Sequence, residues 1–304
     1  MNKDLLGLRD MKPSDIQEIL KNAELMKYII TQDNKKTPHL QGKSIVTLFY
    51  ENSTRTRMSF ELASKYMSAA AANISASASS VAKGETLIDT GKTLDMMGTD
   101  IIIMRHPMSG APHLLAKHVR AGVINAGDGA NEHPTQALLD MFTIQQHKGR
   151  IDGLKVVIVG DSLHSRVARS NCYGLTKMGA KVTLAGTSTL LPMKPARLSA
   201  ETTTDIREAV READVVMALR IQRERQQGGY YPSLKEYSEF FGLNRDVISL
   251  AKPDALIMHP GPMNRGVEIT SELADSESSV INEQVTNGLA VRMALLYLLT
   301  RRNR

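Results

Sequence analysis

Short apolar runs, each cut off by a polar cluster and followed by a helix-period pattern, recur along this chain and leave it few folds to choose from. Ser44–Phe49 ends in Glu51-Asn52-Ser53-Thr54-Arg55-Thr56-Arg57, after which Met58, Leu62 and Tyr66 repeat at helical spacing. Ile101–Met104 runs into Arg105-His106-Pro107. Gly122–Asn125 runs into Gly127-Asp128-Gly129, and His133-Pro134 then opens a helix carrying Leu138, Met141 and Phe142. A second series starts with Lys155–Val159 and a helix near Arg166–Met178. It continues through Val182–Ala185 and Val215–Ala218 and closes with Ala255–Met258 at His259-Pro260-Gly261-Pro262. A last helix from about Glu283 carries Val285, Leu289, Met293 and Leu296. Alternating strands and helices imply an α/β protein with mostly parallel sheets flanked by helices. The 304 residues exceed one ordinary core, so two domains are expected.

Composition narrows the function. Hydrophobic residues make up 42% and charged residues 23%, with no apolar stretch near the ~20 residues of a membrane span. The start, MNKDLLGLRDM, has neither the long apolar core nor the small-residue cleavage site of a signal peptide. The single cysteine, Cys172, reads as helix packing; it excludes an intrachain disulfide framework and points to the cytoplasm. The net charge of +6 comes without long basic stretches, and aromatics are only 4%, so nucleic acid is not the expected partner. Binding of small anions is the better reading for several of the arginines.

The turn after Ser44–Phe49 is the clearest of these. Ser53 is a good N-cap, able to satisfy one N–H of the first helical turn. The remaining N–H groups point outward at the positive end of the helix dipole. Thr54, Thr56 and the fork of Arg55 add donors, which makes a pocket for a tetrahedral dianion such as phosphate. Arg57 and Glu61 read as an i,i+4 surface pair.

The other clusters follow the carboxyl ends of expected strands, where open α/β sheets bind ligands. They are SSVAKGETL (79–87), MRHP (104–107), DGANEHPTQALLD (128–140), LRIQRER (219–225) and MHPGPMNRGVEI (258–269). Singly, each has a plain reading: Arg105 as a surface charge, His133 as a capping histidine, Arg223 and Glu224 as a solvated loop. His113 and His118 are wrongly spaced for one helix face, so no metal role is assigned. VGDSLHSR (159–166) lacks the second and third glycines of a dinucleotide fingerprint. SASASSV (75–81) and QQGGYY (226–231) read as loops.

Together, STRTR, HPTQ, RIQRER and HPGPMNRG, in that order and at these spacings, resemble the aspartate carbamoyltransferase family. The related ornithine carbamoyltransferases share the STRTR turn but usually read His-Pro-Cys-Gln and His-Cys-Leu-Pro at the two proline motifs. This chain has His133-Pro134-Thr135-Gln136 and His259-Pro260-Gly261-Pro262 there. An acceptor with a cationic side chain would also require acidic groups where this chain offers Arg220 and Gln222.

The resemblance implies transfer of the carbamoyl group from carbamoyl phosphate to the amine of L-aspartate, in pyrimidine synthesis, with no cofactor and no metal. It implies a carbamoyl phosphate domain, 1–134 plus 287–304, on which the C-terminal helix packs back, and an aspartate domain, 135–286. Ser53, Thr54, Arg55 and Thr56 match the groups that hold the phosphate. Thr56, Arg105 and His133 match those around the carbonyl oxygen, with His133 expected neutral because nearby cations disfavour a proton. Gln136 and the carbonyls of Pro260 and Gly261 match the acceptors of the carbamoyl NH2. Arg166, Arg220 and Gln222 match the aspartate ligands. Glu51 and Arg225, with Arg166, match a set that links the domains in a closed state. Ser79 and Lys83 match a loop reaching the neighbouring subunit's site, where Lys83 meets phosphate and aspartate; the smallest active unit is then a homotrimer. A regulatory chain or a dihydroorotase is a possible further partner. Gly261 replaces a larger residue of other members, and Lys83 is the only cation of its loop.

Overall fold

The structure, a computed structural model, describes residues 3–75, 84–221 and 233–302. The chain divides into two compact units, Met1–Phe142 with Thr286–Arg304, and Thr143–Val285. The first crossing lies at Phe142, eight residues beyond the expected boundary at 134. The cause is the helix Pro134–Lys148, whose first half is buried and belongs to unit 1.

In unit 1, after α1 (Pro13–Thr31), four strands form one parallel sheet: β1 (Ser44–Phe49), β2 (Ala70–Ser75), β3 (Ile101–His106) and β4 (Gly122–Asp128), in the order β2-β1-β3-β4. The helices α2 (Thr54–Tyr66), α3 (Leu87–Met96) and α4 (Ala111–Ala116) connect them. β1 is buried from Ile45 to Phe49 and β3 from Ile101 to Met104, as strands covered on both faces should be. On one face Val46, Leu48, Ile102 and Met104 meet Leu94 and Leu115 of α3 and α4. α5 (Pro134–Lys148) leads out of this sheet.

Unit 2 repeats the scheme. β5 (Lys155–Val159), β6 (Lys181–Ala185), β7 (Glu201–Thr203), β8 (Val215–Ala218) and β9 (Leu256–Met258) form a parallel sheet in the order β7-β6-β5-β8-β9. Its helices are α6 (Arg166–Lys177), α7 (Ile206–Val210), α8 (Leu234–Phe241), α9 (Arg245–Ile248) and α10 (Ser271–Ala274). Val157, Val159, Val216 and Ile257 pack with Ile206, Val247 and Leu273 of α7, α9 and α10.

The last helix, α11, spans Ile281–Arg302, starting two residues before the expected point, and from Thr286 on it belongs to unit 1. There His39 meets Tyr297 edge-on at 5.2 Å, and Arg292 lies over the Phe60 ring. The C-terminal helix thus packs back on the first unit. Among the described residues no helix is long and apolar enough to cross a membrane.

β2 corrects the reading of Ser75 as the start of a loop: Ser75 is the last residue of this strand, paired with Phe49. Residues 76–81 of that expected loop, and all of 226–231, lie outside the described residues. Ala70, Ala71 and Ala72 carry little strand signal, and among the described residues β2 is an edge strand paired with β1 alone.

Cys172 is fully buried in α6, and burial pushes its thiol up to about 12. The native chain is therefore expected to resist iodoacetamide at pH 8 and to label only on unfolding, as followed by intact mass. Labelling of the folded chain at the rate of a free thiol would contradict this packing.

Candidate active site

In unit 1 the strand order reverses between β1 and β3, which is the position where open α/β sheets bind ligands. Phe49 pairs with Arg105, so the two strands end level, and Ser53–Thr56 and Arg105 follow from adjacent strand ends. Ser53 occupies the N-cap of α2 with extended backbone, φ −159° and ψ 95°, but its side chain makes no capping hydrogen bond. The expectation that its hydroxyl caps the helix is corrected. Ser165, Ser233 and Thr270 do cap their helices, each accepting from a backbone N–H three residues on. The first turn of α2 also holds no acidic residue, which leaves the sequence of that turn favourable to an anion. Thr56 is buried; Thr54 and Arg55 are exposed.

The expected Arg57–Glu61 pair is also replaced. Glu61 accepts from Lys65 Nζ at 2.7 Å, one turn later on α2, and from Asn73 Nδ2 of β2 at 3.1 Å. Glu61 is held below the usual carboxylate range mainly by the Lys65 hydrogen bond.

Arg105 is largely buried. Its Nε donates to Glu51 Oε2 at 3.2 Å and its Nη1 to the Ala126 carbonyl at 3.4 Å. Glu51, expected in a link between domains, is here a partner of Arg105 within unit 1. Burial pushes the next residue, His106, below the ordinary histidine range, and its Nδ1 accepts from the Met108 N–H at 3.0 Å.

A buried acid network joins the loops after β3 and β4. Asp128 accepts from Gly110 N–H at 2.7 Å, from Asn125 Nδ2 at 2.8 Å and from Glu132 N–H at 3.1 Å. Glu132 in turn accepts from the N–H groups of Leu8 and Arg9. Gly129, at φ +48°, lets this turn approach Ser109; a Cβ there would lie 2.8 Å from the Ser109 nitrogen. Glu132, anchored in this way, directly precedes His133, which is buried 3.5 Å from Thr135 Oγ1 through its Nδ1. Gln136, on the first turn of α5, donates from Nε2 to Asp140 Oδ1 at 2.9 Å.

Unit 2 has its reversal between β5 and β8, whose ends Val159 and Ala218 are paired. Arg166 opens α6 after β5, and Arg220 follows β8; Arg166 is buried and Arg220 half-buried. Gly160, at φ +128°, begins the turn before α6, and Asp161 there accepts from the His164 N–H and faces its Nδ1 at 3.0 Å. The loop after β9 is pinned from within. His259 Nδ1 accepts from Gly261 N–H at 2.7 Å, so Nε2 carries the proton and donates to Glu268 at 3.1 Å. The His259 N–H donates to Gln284. This clasp fixes the backbone of Pro260 and Gly261, the latter at φ +57°, a conformation that favours glycine.

Ser53–Thr56, Glu51, Arg105, His133 and Gln136 therefore all lie in unit 1, while Arg166, Arg220, Pro260 and Gly261 lie in unit 2. Ser79, Lys83, Gln222 and Arg225 lie outside the described residues. Sequence reasoning missed Asp128, Glu132, Asp140, Glu268 and Arg292. Asp140 had a signal, because it lies one helical turn after Gln136.

Residues 3–146 match the family model "Aspartate/ornithine carbamoyltransferase, carbamoyl-P binding domain", and residues 152–299 match the Asp/Orn binding domain of the same family. The chain belongs to the aspartate/ornithine carbamoyltransferases. It is 68% identical over 302 residues to the aspartate carbamoyltransferase catalytic subunit of Acetivibrio thermocellus, covering 99% of this chain and 97% of that one. Among solved structures it is similar to the aspartate transcarbamoylase of Trypanosoma cruzi in complex with N-(phosphonacetyl)-L-aspartic acid. The TM-score is 0.88 at 30% identity, over 97% of this chain and 94% of that one. The ornithine carbamoyltransferase of Pyrococcus furiosus is about as similar in fold, with a TM-score of 0.86 at 33% identity, over 96% of this chain and 95% of that one. Fold likeness therefore does not separate the two acceptors within this carbamoyltransferase family.

Proposed function

We propose that the chain transfers the carbamoyl group of carbamoyl phosphate to the amine of L-aspartate, giving N-carbamoyl-L-aspartate and phosphate, in pyrimidine biosynthesis. The observation that carries this reading is the 68% identity, over nearly the full length of both chains, to an aspartate carbamoyltransferase catalytic subunit. Ser53, Thr54, Arg55 and Thr56 bind the phosphate at the α2 N-terminus, where dipole, hydroxyls and guanidinium all favour a dianion. Attack by the amine on the carbamoyl carbon forms the C–N bond and places negative charge on the carbonyl oxygen. Thr56, Arg105 and His133 donate to that oxygen. The C–O bond to phosphate then breaks, and the departing phosphate takes the amine's proton, so no side-chain base is needed. Gln136 accepts from the carbamoyl NH2, and the carbonyls of Pro260 and Gly261 are further acceptors that the family pattern assigns to that nitrogen. Arg166 and Arg220, with Gln222, bind the aspartate carboxylates.

The active species is a cytoplasmic homotrimer in which Ser79 and Lys83 of one chain complete the site of the next. The Ser79–Lys83 motif supports the sharing of sites, and the single cysteine supports the compartment.

A colorimetric carbamoyl-transfer assay with aspartate and ornithine in parallel tests the acceptor. Aspartate is expected to be favoured by at least about 10²-fold in kcat/KM, because arginines placed for a carboxylate reject an ammonium. A preference for ornithine would overturn the assignment.

A further inference from the structure

Behind Gln136, α5 and α11 place a buried carboxylate and a buried guanidinium in unit 1. Asp140 and Arg292 are 0% and 5% exposed. Arg292 Nη1 donates to Ser59 Oγ at 3.0 Å, and the guanidinium lies over the Phe60 ring, 5.2 Å from its centre. Burial lowers Arg292 to about 10; Asp140 opposes that shift and Arg55 adds to it, so the group is still cationic at neutral pH. Space for it is made by Gly288, one turn earlier on α11. A Cβ there would lie 2.5 Å from Arg292 Nη1 and 3.0 Å from Leu139 Cδ2.

The consequence falls on Gln136. The Gln136 amide donates its NH2 to Asp140 Oδ1, at 2.9 Å, which turns its Oε1 away from that side. A carbamoyl group is itself nearly symmetrical in shape, with an oxygen that accepts and an NH2 that donates. A glutamine free to flip could receive either end; one held by a carboxylate can receive only the NH2.

We propose that Asp140 is a positioning residue that locks the Gln136 amide so that its oxygen reads the carbamoyl nitrogen. This rests on the reading that Gln136 meets that nitrogen. It adds a specificity device to a site otherwise built from strand ends.

The test compares binding of carbamoyl phosphate with that of acetyl phosphate, which has a methyl group in place of the NH2, by calorimetry on the full chain. In Asp140→Asn the preference for carbamoyl phosphate is expected to fall about tenfold, the net worth of one well-placed hydrogen bond, with acetyl phosphate changed by less than about twofold. In a Gln136→Ala background the same substitution is expected to change neither ligand. If both ligands weaken together, Asp140 is merely structural and the proposal fails; an unchanged preference also overturns it. Should Asp140→Asn not fold, Asp140→Ser, a smaller residue that fits the same space without the carboxylate, is read in the same way: a reduced preference supports the lock and an unchanged one overturns it. A parent chain with no preference between the two ligands would instead refute the role of Gln136 itself.

Discussion

Arg105→Ala is expected to lower kcat by about 10²–10³-fold, the usual cost of removing one donor to a developing oxyanion. The residue is suited to that role by its setting. It ends β3 level with β1, at the strand reversal, and its Nε and Nη1 are engaged by Glu51 and the Ala126 carbonyl. Those two bonds hold the fork in place before any ligand arrives, and preorganisation is what makes such a donor effective. Lysine keeps the charge but not the planar fork, so Arg105→Lys is expected to recover only part of the loss. Affinity for inorganic phosphate should change little in both variants, because the proposed reading gives that binding to the α2 N-terminus and Arg55. A kcat within about threefold of the parent would remove Arg105 from the chemistry, since a lost oxyanion donor costs far more. A loss confined to phosphate affinity would reassign it to the phosphate.

Much of this arrangement was legible in the chain itself, for identifiable reasons. The central strands β1, β3, β5 and β8 are buried on both faces and read as continuous apolar runs. Their polar ends mark the site because parallel strands bring their carboxyl ends to one edge. What stayed hidden depends on tertiary pairing. β2 is an alanine-rich edge strand that looks like neither strand nor helix. Glu61 had two cations at helical spacing, Arg57 and Lys65; it pairs with Lys65 and also accepts from Asn73 of a strand that the pattern did not reveal. Ser53 has the residue type of a cap, but the φ/ψ that leave its hydroxyl unengaged by the helix belong to the folded turn. Asp128 and Glu132 looked like loop acids; only the fold brings the N–H groups of Gly110, Leu8 and Arg9 to them. Arg292 lies in the last helix, far along the chain from Ser59 and Asp140, and no local periodicity connects them.

Lys83→Ala and His133→Ala, each expected to be nearly inactive alone, should restore activity when unfolded, mixed in equal amounts and refolded together. Lys83 lies outside the described residues, so its role rests on the loop motif and on ring symmetry. In the proposed closed ring of three, every site would take His133 from one chain and Lys83 from the next. A site whose main chain is the Lys83 variant keeps its own His133, and a neighbouring His133 variant lends it an intact Lys83. Random assembly makes about one site in four fully native, so activity should return to about a quarter of the parent's when sites act independently. The same variants refolded separately stay near zero, which rules out refolding itself as the source. Mixed trimers verified by mass that show no activity would place Lys83 in its own chain's site. A solution mass of one chain, with full activity, would remove the shared site altogether.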